Sequence, residues 1–256
     1  MQFTLRHHTA GDYDALPDMN DINAGVLSRE DQLCLNELGR SLLNTRSNSR
    51  FGISLLHSHF PVSDTEVFVQ TSDATKRTVS LSPQRLEPTL QKSMAAMNVR
   101  FEETQTSNAI SLIGLEYFLK QSAPGIDSIN SADANVLGSI HAVLDRHGKT
   151  ARFGVRVIHM SVELADDEVY SESCDIDRRV LICEVVNKRD PLLARSIETF
   201  WVWPDLCASA DDPDIIAHCP AKCKITCLDG NFGHPRGHKD LHKTIDGDET
   251  SSASSS

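Results

Sequence analysis

One constant offset organises this chain more than any other feature. Residues 50–81 can be laid on residues 152–183 at a spacing of 102 without a gap, and nine of the 32 positions are identical. The matches are Arg50/Arg152, Phe51/Phe153, Gly52/Gly154, His57/His159, Asp64/Asp166, Glu66/Glu168, Val67/Val169, Asp73/Asp175 and Arg77/Arg179. Average residue usage gives roughly two matches over such a length. The pattern reads as an internal duplication, and the second copy then serves as a control. A residue type present in both copies reads as architecture, and one present in a single copy as a candidate for chemistry.

The same offset extends upstream. Ser28-Arg29-Glu30-Asp31 resembles a capping box, and Leu35, Leu38 and Leu42 recur at helical spacing. Leu137, Ile140 and Leu144, with Asp133 in place of Asp31, repeat that stripe. A polar turn and an Arg-Phe-Gly strand follow each helix, with Phe51, Ile53, Leu55, His57 and His59 on one parity. Pro61 to Asp64 reads as a turn and Glu66 to Gln70 as the returning strand of a hairpin. Further strands are expected at residues 77–81 and 179–186, and Pro88 and Pro191 suggest short helices. Residues 97–103 and 110–119 read either as a hairpin or, for the second stretch, as a helix, whereas Phe200-Trp-Val-Trp203 is strongly β-prone. Burial is the expectation for Trp201 and Trp203.

These readings predict an α+β fold built as a pseudo-twofold duplication of a helix-plus-antiparallel-strands unit. Its parts would be a loosely ordered lead-in over 1–27, repeats over 28–122 and 130–218, a Cys/His-rich segment over 219–242 and a disordered tail over 243–256.

Composition narrows the function classes. The 39% hydrophobic and 24% charged content is that of a soluble globular protein, and a net charge of −11 without Lys/Arg clusters argues against nucleic-acid or anionic-membrane partners. A small-molecule substrate or ligand is expected instead. Neither an export signal nor a membrane span is apparent, so a cytoplasmic location and reduced thiols are expected for the seven cysteines. Nucleotide-binding glycine motifs, Gly-x-Ser-x-Gly and His-Glu-x-x-His are all missing.

Two clusters carry candidate chemistry. On a strand, His57 and His59 would point the same way about 7 Å apart, close enough to share a metal ion. If the hairpin closes at Pro61 to Asp64, His59 faces Glu66 and His57 faces Phe68. Two imidazoles and a carboxylate then form a ligand set used by zinc hydrolases and non-haem iron oxygenases. The competing reading makes His57 structural, since His159 matches it. His59 is replaced by Ser161 and is the sharper candidate. Arg50 and Arg152 read as ion-pair partners of a carboxylate such as Asp64 or Asp73.

The second cluster is Cys219, Cys223 and Cys227 followed by His234, His238 and His242, a density of thiols and imidazoles that suits tetrahedral zinc without matching standard finger spacing. Free buried thiols and redox chemistry are its alternatives. Two functions remain open. One is a metal-dependent enzyme using a divalent ion such as zinc at His57 and His59, with Glu66 as third ligand or general base. The other is a non-catalytic scaffold or binding protein with a structural zinc near its C-terminus.

Overall fold

The helices form where caps and apolar stripes place them. A computed structural model of the protein describes residues 2–18, 27–102, 109–159, 161–204 and 217–224. A short helix α1 (Ala10–Asp14) is followed by α2 (Arg29–Asn44), whose N-cap Ser28 and Asp31 bond reciprocally to each other's backbone. Helix α3 (Pro88–Ser93) starts at its proline, and α4 (Ala134–Arg146) follows a 3-10 turn capped in the same reciprocal way by Asn130 and Asp133. Helices α2 and α4 pack on one another, and Leu35, Leu38, Leu42, Leu137, Ile140 and Leu144 join one apolar cluster with Phe51, Ile53, Phe153 and Val155. Each such side chain stabilises the fold by about 1.5–3 kcal/mol relative to exposure. Trp201 and Trp203 are buried in the same cluster.

Eleven strands are described: β1 (Gln2–His7), β2 (Phe51–Leu55), β3 (Glu66–Asp73), β4 (Thr78–Arg85), β5 (Met94–Phe101), β6 (Ala109–Leu119), β7 (Phe153–Val157), β8 (Glu168–Asp175), β9 (Val180–Asn187), β10 (Ser196–Val202) and β11 (His218–Lys224). They pair in the order β1-β6-β3-β4-β9-β8-β11-β10-β2-β7-β5, and β5 pairs back onto β6. That last pairing closes a ten-stranded mixed barrel, with β1 lying parallel to β6 outside the ring. A second apolar cluster, drawn from β4, β5, β6, β8, β9, β10 and β11, fills the interior with Val79, Leu81, Met97, Phe118, Tyr170, Leu181, Phe200 and Ala221.

This architecture corrects the expected α+β duplication. The strands do not segregate into two units. Strand β2 pairs with β7 and β10, β4 pairs with β9, and β5 pairs with β7, so the barrel wall alternates between early and late segments of the chain. The expected β2–β3 hairpin is also absent: β3 lies between β4 and β6. Residues 97–103 and 110–119 fall mainly in β5 and β6, which pair antiparallel. Part of the expected lead-in is ordered, as β1 and α1.

The matched residues act as cross-ties of this single barrel. Arg50 pairs with Asp133 at 2.8 Å and Arg152 with Asp31 at 3.0 Å, each binding the cap residue that precedes or begins the distant helix rather than Asp64 or Asp73. Arg77 pairs with Glu168 at 2.6 Å and Arg179 with Glu66 at 2.8 Å, so one hairpin turn holds the start of the other hairpin in each case. Gly52 and Gly154 are sites of close approach. A Cβ on Gly52 would lie 2.6 Å from the Trp201 carbonyl oxygen, and one on Gly154 would lie 2.5 Å from that of Val99.

Candidate metal centre

Strand β2 ends at Leu55, and the chain that leaves it is irregular apart from a single bridge between Ser58 and Asp18. His57 and His59 therefore sit in a loop, with their rings edge to face at a centroid separation of 4.5 Å. The backbone N–H of His59 donates to the Tyr13 hydroxyl at 3.3 Å, which fastens the loop to α1. Leu56 and Phe60 anchor it on either side, packed with Tyr13, Phe68, Ile113 and Leu115.

Cys223 completes the group. It lies on β11 and is buried, and one donor atom from each of His57, His59 and Cys223 lies within 4.8 Å of the others. A tetrahedral zinc holds its nitrogen and sulfur ligands roughly 3.3–3.8 Å apart, so about one ångström of closure would bring all three onto one ion. His57 is already set for this. Its Nδ1 lies 2.8 Å from the Leu55 carbonyl oxygen, the partner that fixes the proton on Nδ1, while its buried Nε2 makes no hydrogen bond. An imidazole held from behind by a carbonyl, with its other nitrogen buried and bare, has the arrangement of a metal ligand. Burial lowers the His57 pKa and so keeps the ring neutral, which leaves the lone pair of Nε2 available. Burial raises the Cys223 thiol well above its ordinary pKa, and the nearby Glu172 adds to that rise. A bound cation reverses such a rise by stabilising the thiolate directly. The group could bind a metal.

Behind it the barrel interior is polar. Glu172 is directly paired with Cys223 across β8 and β11 and with Cys183 across β8 and β9. Its carboxylate accepts from Thr199 Oγ1 at 2.9 Å. Arg156 pairs with Glu116 at 3.1 Å, Glu116 accepts from Asn98, and Asn98 accepts from Ser54. Burial opposes the charge of Arg156, but Glu116 and then Glu172 outweigh it and raise the Arg156 pKa. A cavity of about 30 Å³ lies between Gln70, Arg156, His159, Tyr170, Glu172 and Cys183. That volume suits one or two waters and no larger molecule.

The other expected ligands are placed as follows. Glu66 is not part of the group: Arg179 holds its carboxyl down to about 2, and Ser63 N–H donates to it at 3.0 Å. Cys219 is on β11 with its Sγ 3.1 Å from the Ala221 carbonyl oxygen and does not join the histidines. Cys227, His234, His238 and His242 lie outside the described residues. The histidine pair and the cysteine run, read from sequence as two separate sites, thus meet in Cys223. No local pattern announces that meeting, because His59 and Cys223 lie 164 positions apart in the chain and the β2–β10 and β10–β11 pairings bring them together. Comparison with protein-family models, with curated proteins and with solved structures finds no match for this chain.

Proposed function

We propose that this chain is a zinc-binding protein whose ion is held by His57 Nε2, His59 and the Cys223 thiolate. The observation that carries the reading is the convergence of three soft or borderline donors on one point, with a buried imidazole nitrogen that has no other partner. The charge balance of the interior supports it. Among the described residues Glu116 and Glu172 face the guanidinium of Arg156, and a thiolate at Cys223 would add a second uncompensated negative charge that a divalent ion would neutralise. Two imidazoles and a thiolate suit zinc better than the hard oxygen-seeking cations. The ion would tie the loop after β2 to β11 and so cross-link the barrel wall.

A second reading, a zinc-dependent enzyme, is favoured by the ligand count. Three protein ligands leave a fourth position for water, the arrangement of catalytic rather than structural zinc. The test is metal content by mass spectrometry on untagged protein purified with limiting zinc, set beside His57→Ala/His59→Ala and Cys223→Ser variants whose fold is checked by circular dichroism. Stoichiometric zinc in the natural chain, lost in both variants with the fold intact, is the expected result. A natural chain that takes up no zinc defeats the proposal. A large fall in melting temperature on chelation favours the cross-linking role, and an unchanged one the catalytic role.

A further inference from the structure

We infer that Glu172 is the specificity-determining residue of the His57–His59–Cys223 group, a fixed negative charge behind the thiolate that selects a divalent ion over a monovalent one. The inference rests on the metal-binding reading above and goes further, to the class of ion. Two imidazoles and one thiolate alone do not settle it, because soft sulfur ligands also suit Cu⁺.

The placement of Glu172 is what settles it. Residues directly paired across neighbouring strands point to the same side of the sheet, so Cys223, Glu172 and Cys183 form a row on one face across β11, β8 and β9. Glu172 is 5% exposed, and its carboxylate is oriented by Thr199 Oγ1 at 2.9 Å and approached by the Cys183 thiol at 4.0 Å. Arg156 interacts with it at longer range, while among the described residues the salt bridge of Arg156 goes to Glu116 and none goes to Glu172.

The barrel also contains its own control. Strand β6 runs parallel to β3 as β11 runs to β8, and the residue paired with Phe118 on β3 is Gln70, the counterpart of Glu172. There Phe118 packs on His159 at a centroid distance of 5.1 Å, and Gln70 donates to Ser161 at 2.9 Å. Where the ligands are absent, the same position carries a neutral amide of the same shape.

The experiment compares the full natural chain with Glu172→Gln and Glu172→Asp, titrating Zn²⁺ and, under reducing conditions, Cu⁺ against competing chelators. Co²⁺ substitution, read by its thiolate charge-transfer band, reports whether Cys223 still ligates. Glu172→Gln is expected to weaken Zn²⁺ by about 10–100-fold, the range for outer-shell partners, while Cu⁺, with half the charge, loses less and the Co²⁺ band persists. Glu172→Asp, which keeps the charge, is expected to retain the Zn²⁺ preference and remains informative if the Gln variant misfolds. Unchanged Zn²⁺ affinity in Glu172→Gln, or equal losses for both ions, overturns the inference while leaving the metal site in place. A natural chain that binds neither ion overturns the metal site and this inference together.

Discussion

Two quadrants of the barrel interior differ in chemistry while sharing a frame. One holds His57, His59 and Cys223, and the matched pairings place His159, Ser161, Phe118 and Gln70 in the other, with Glu172, Gln70 and His159 all lining the small cavity between them. The first histidine is present in both, yet its surroundings differ at each remaining position. His57 has a bare, buried Nε2 and lies in one group with the His59 imidazole and the Cys223 thiol, whereas the His159 ring packs at a tilt against Phe118 and sits beside Ser161 and Gln70, which bond to each other. Burial lowers the pKa of both rings, so desolvation does not distinguish them. The lesson is that a retained imidazole says little on its own. The second donor, the thiol and the charge behind it turn a core histidine into a candidate ligand.

The largest effect expected from this contrast is on metal retention. His57→Ala should weaken zinc by more than the 10–100-fold attributed to outer-shell partners, and His159→Ala should leave it unchanged, both read by chelator competition. Equal losses in the two variants would erase the distinction between the quadrants. Next comes the shared frame. Gly52→Ala and Gly154→Ala each force a Cβ against a backbone carbonyl within 2.6 Å, and each should cost about 1–3 kcal/mol in denaturant unfolding. A tolerated substitution at one and not the other would show that the frame itself is unequal.

The smallest effect concerns the outer ion pairs. Arg179 and Arg77 hold the carboxyls of Glu66 and Glu168 at about 2, below their ordinary value of 4.5. A depressed folded-state pKa contributes stability that is fully present above the unfolded value and is lost as pH falls through the folded one. Melting temperature should therefore decline between about pH 4.5 and 2. Because these pairs are partly exposed, screening keeps the decline small, and Arg179→Met should shrink it further. A slope unaffected by Arg179→Met would assign the acid sensitivity to other carboxylates.

Local chemistry was legible in the sequence and long-range pairing was not. Ser28 with Asp31 sets the start of α2, Pro88 starts α3, and Gly52 and Gly154, matched in the sequence, sit where Trp201 and Val99 approach closely. These features depend on neighbours in the chain or on the size of one side chain. The hairpin assumed between β2 and β3 failed because adjacency in sequence favours local pairing, while β2 is short, buried on both faces and flanked by β7 and β10. Arg50 and Arg152 were legible as ion-pairing residues, but their carboxylates are the helix caps Asp133 and Asp31, about 80 and 120 residues away in the chain. His57 and His59 were legible as a pair, although Glu66 was assigned beside them on a register that does not exist. The sequence places Cys223 in a separate cysteine run, and the barrel alone connects it to them.

The order of β2 and its neighbours has a kinetic consequence. During synthesis β2 emerges long before either of the strands that flank it, because β7 begins at Phe153 and β10 at Ser196. Its backbone groups must wait through about a hundred residues of translation, and such non-local pairing slows folding. The His57–His59 loop waits longer still, for Cys223 on the last described strand. Metal capture by that group would then report that the barrel is complete, so a truncated or stalled chain would show itself as one that cannot hold the ion.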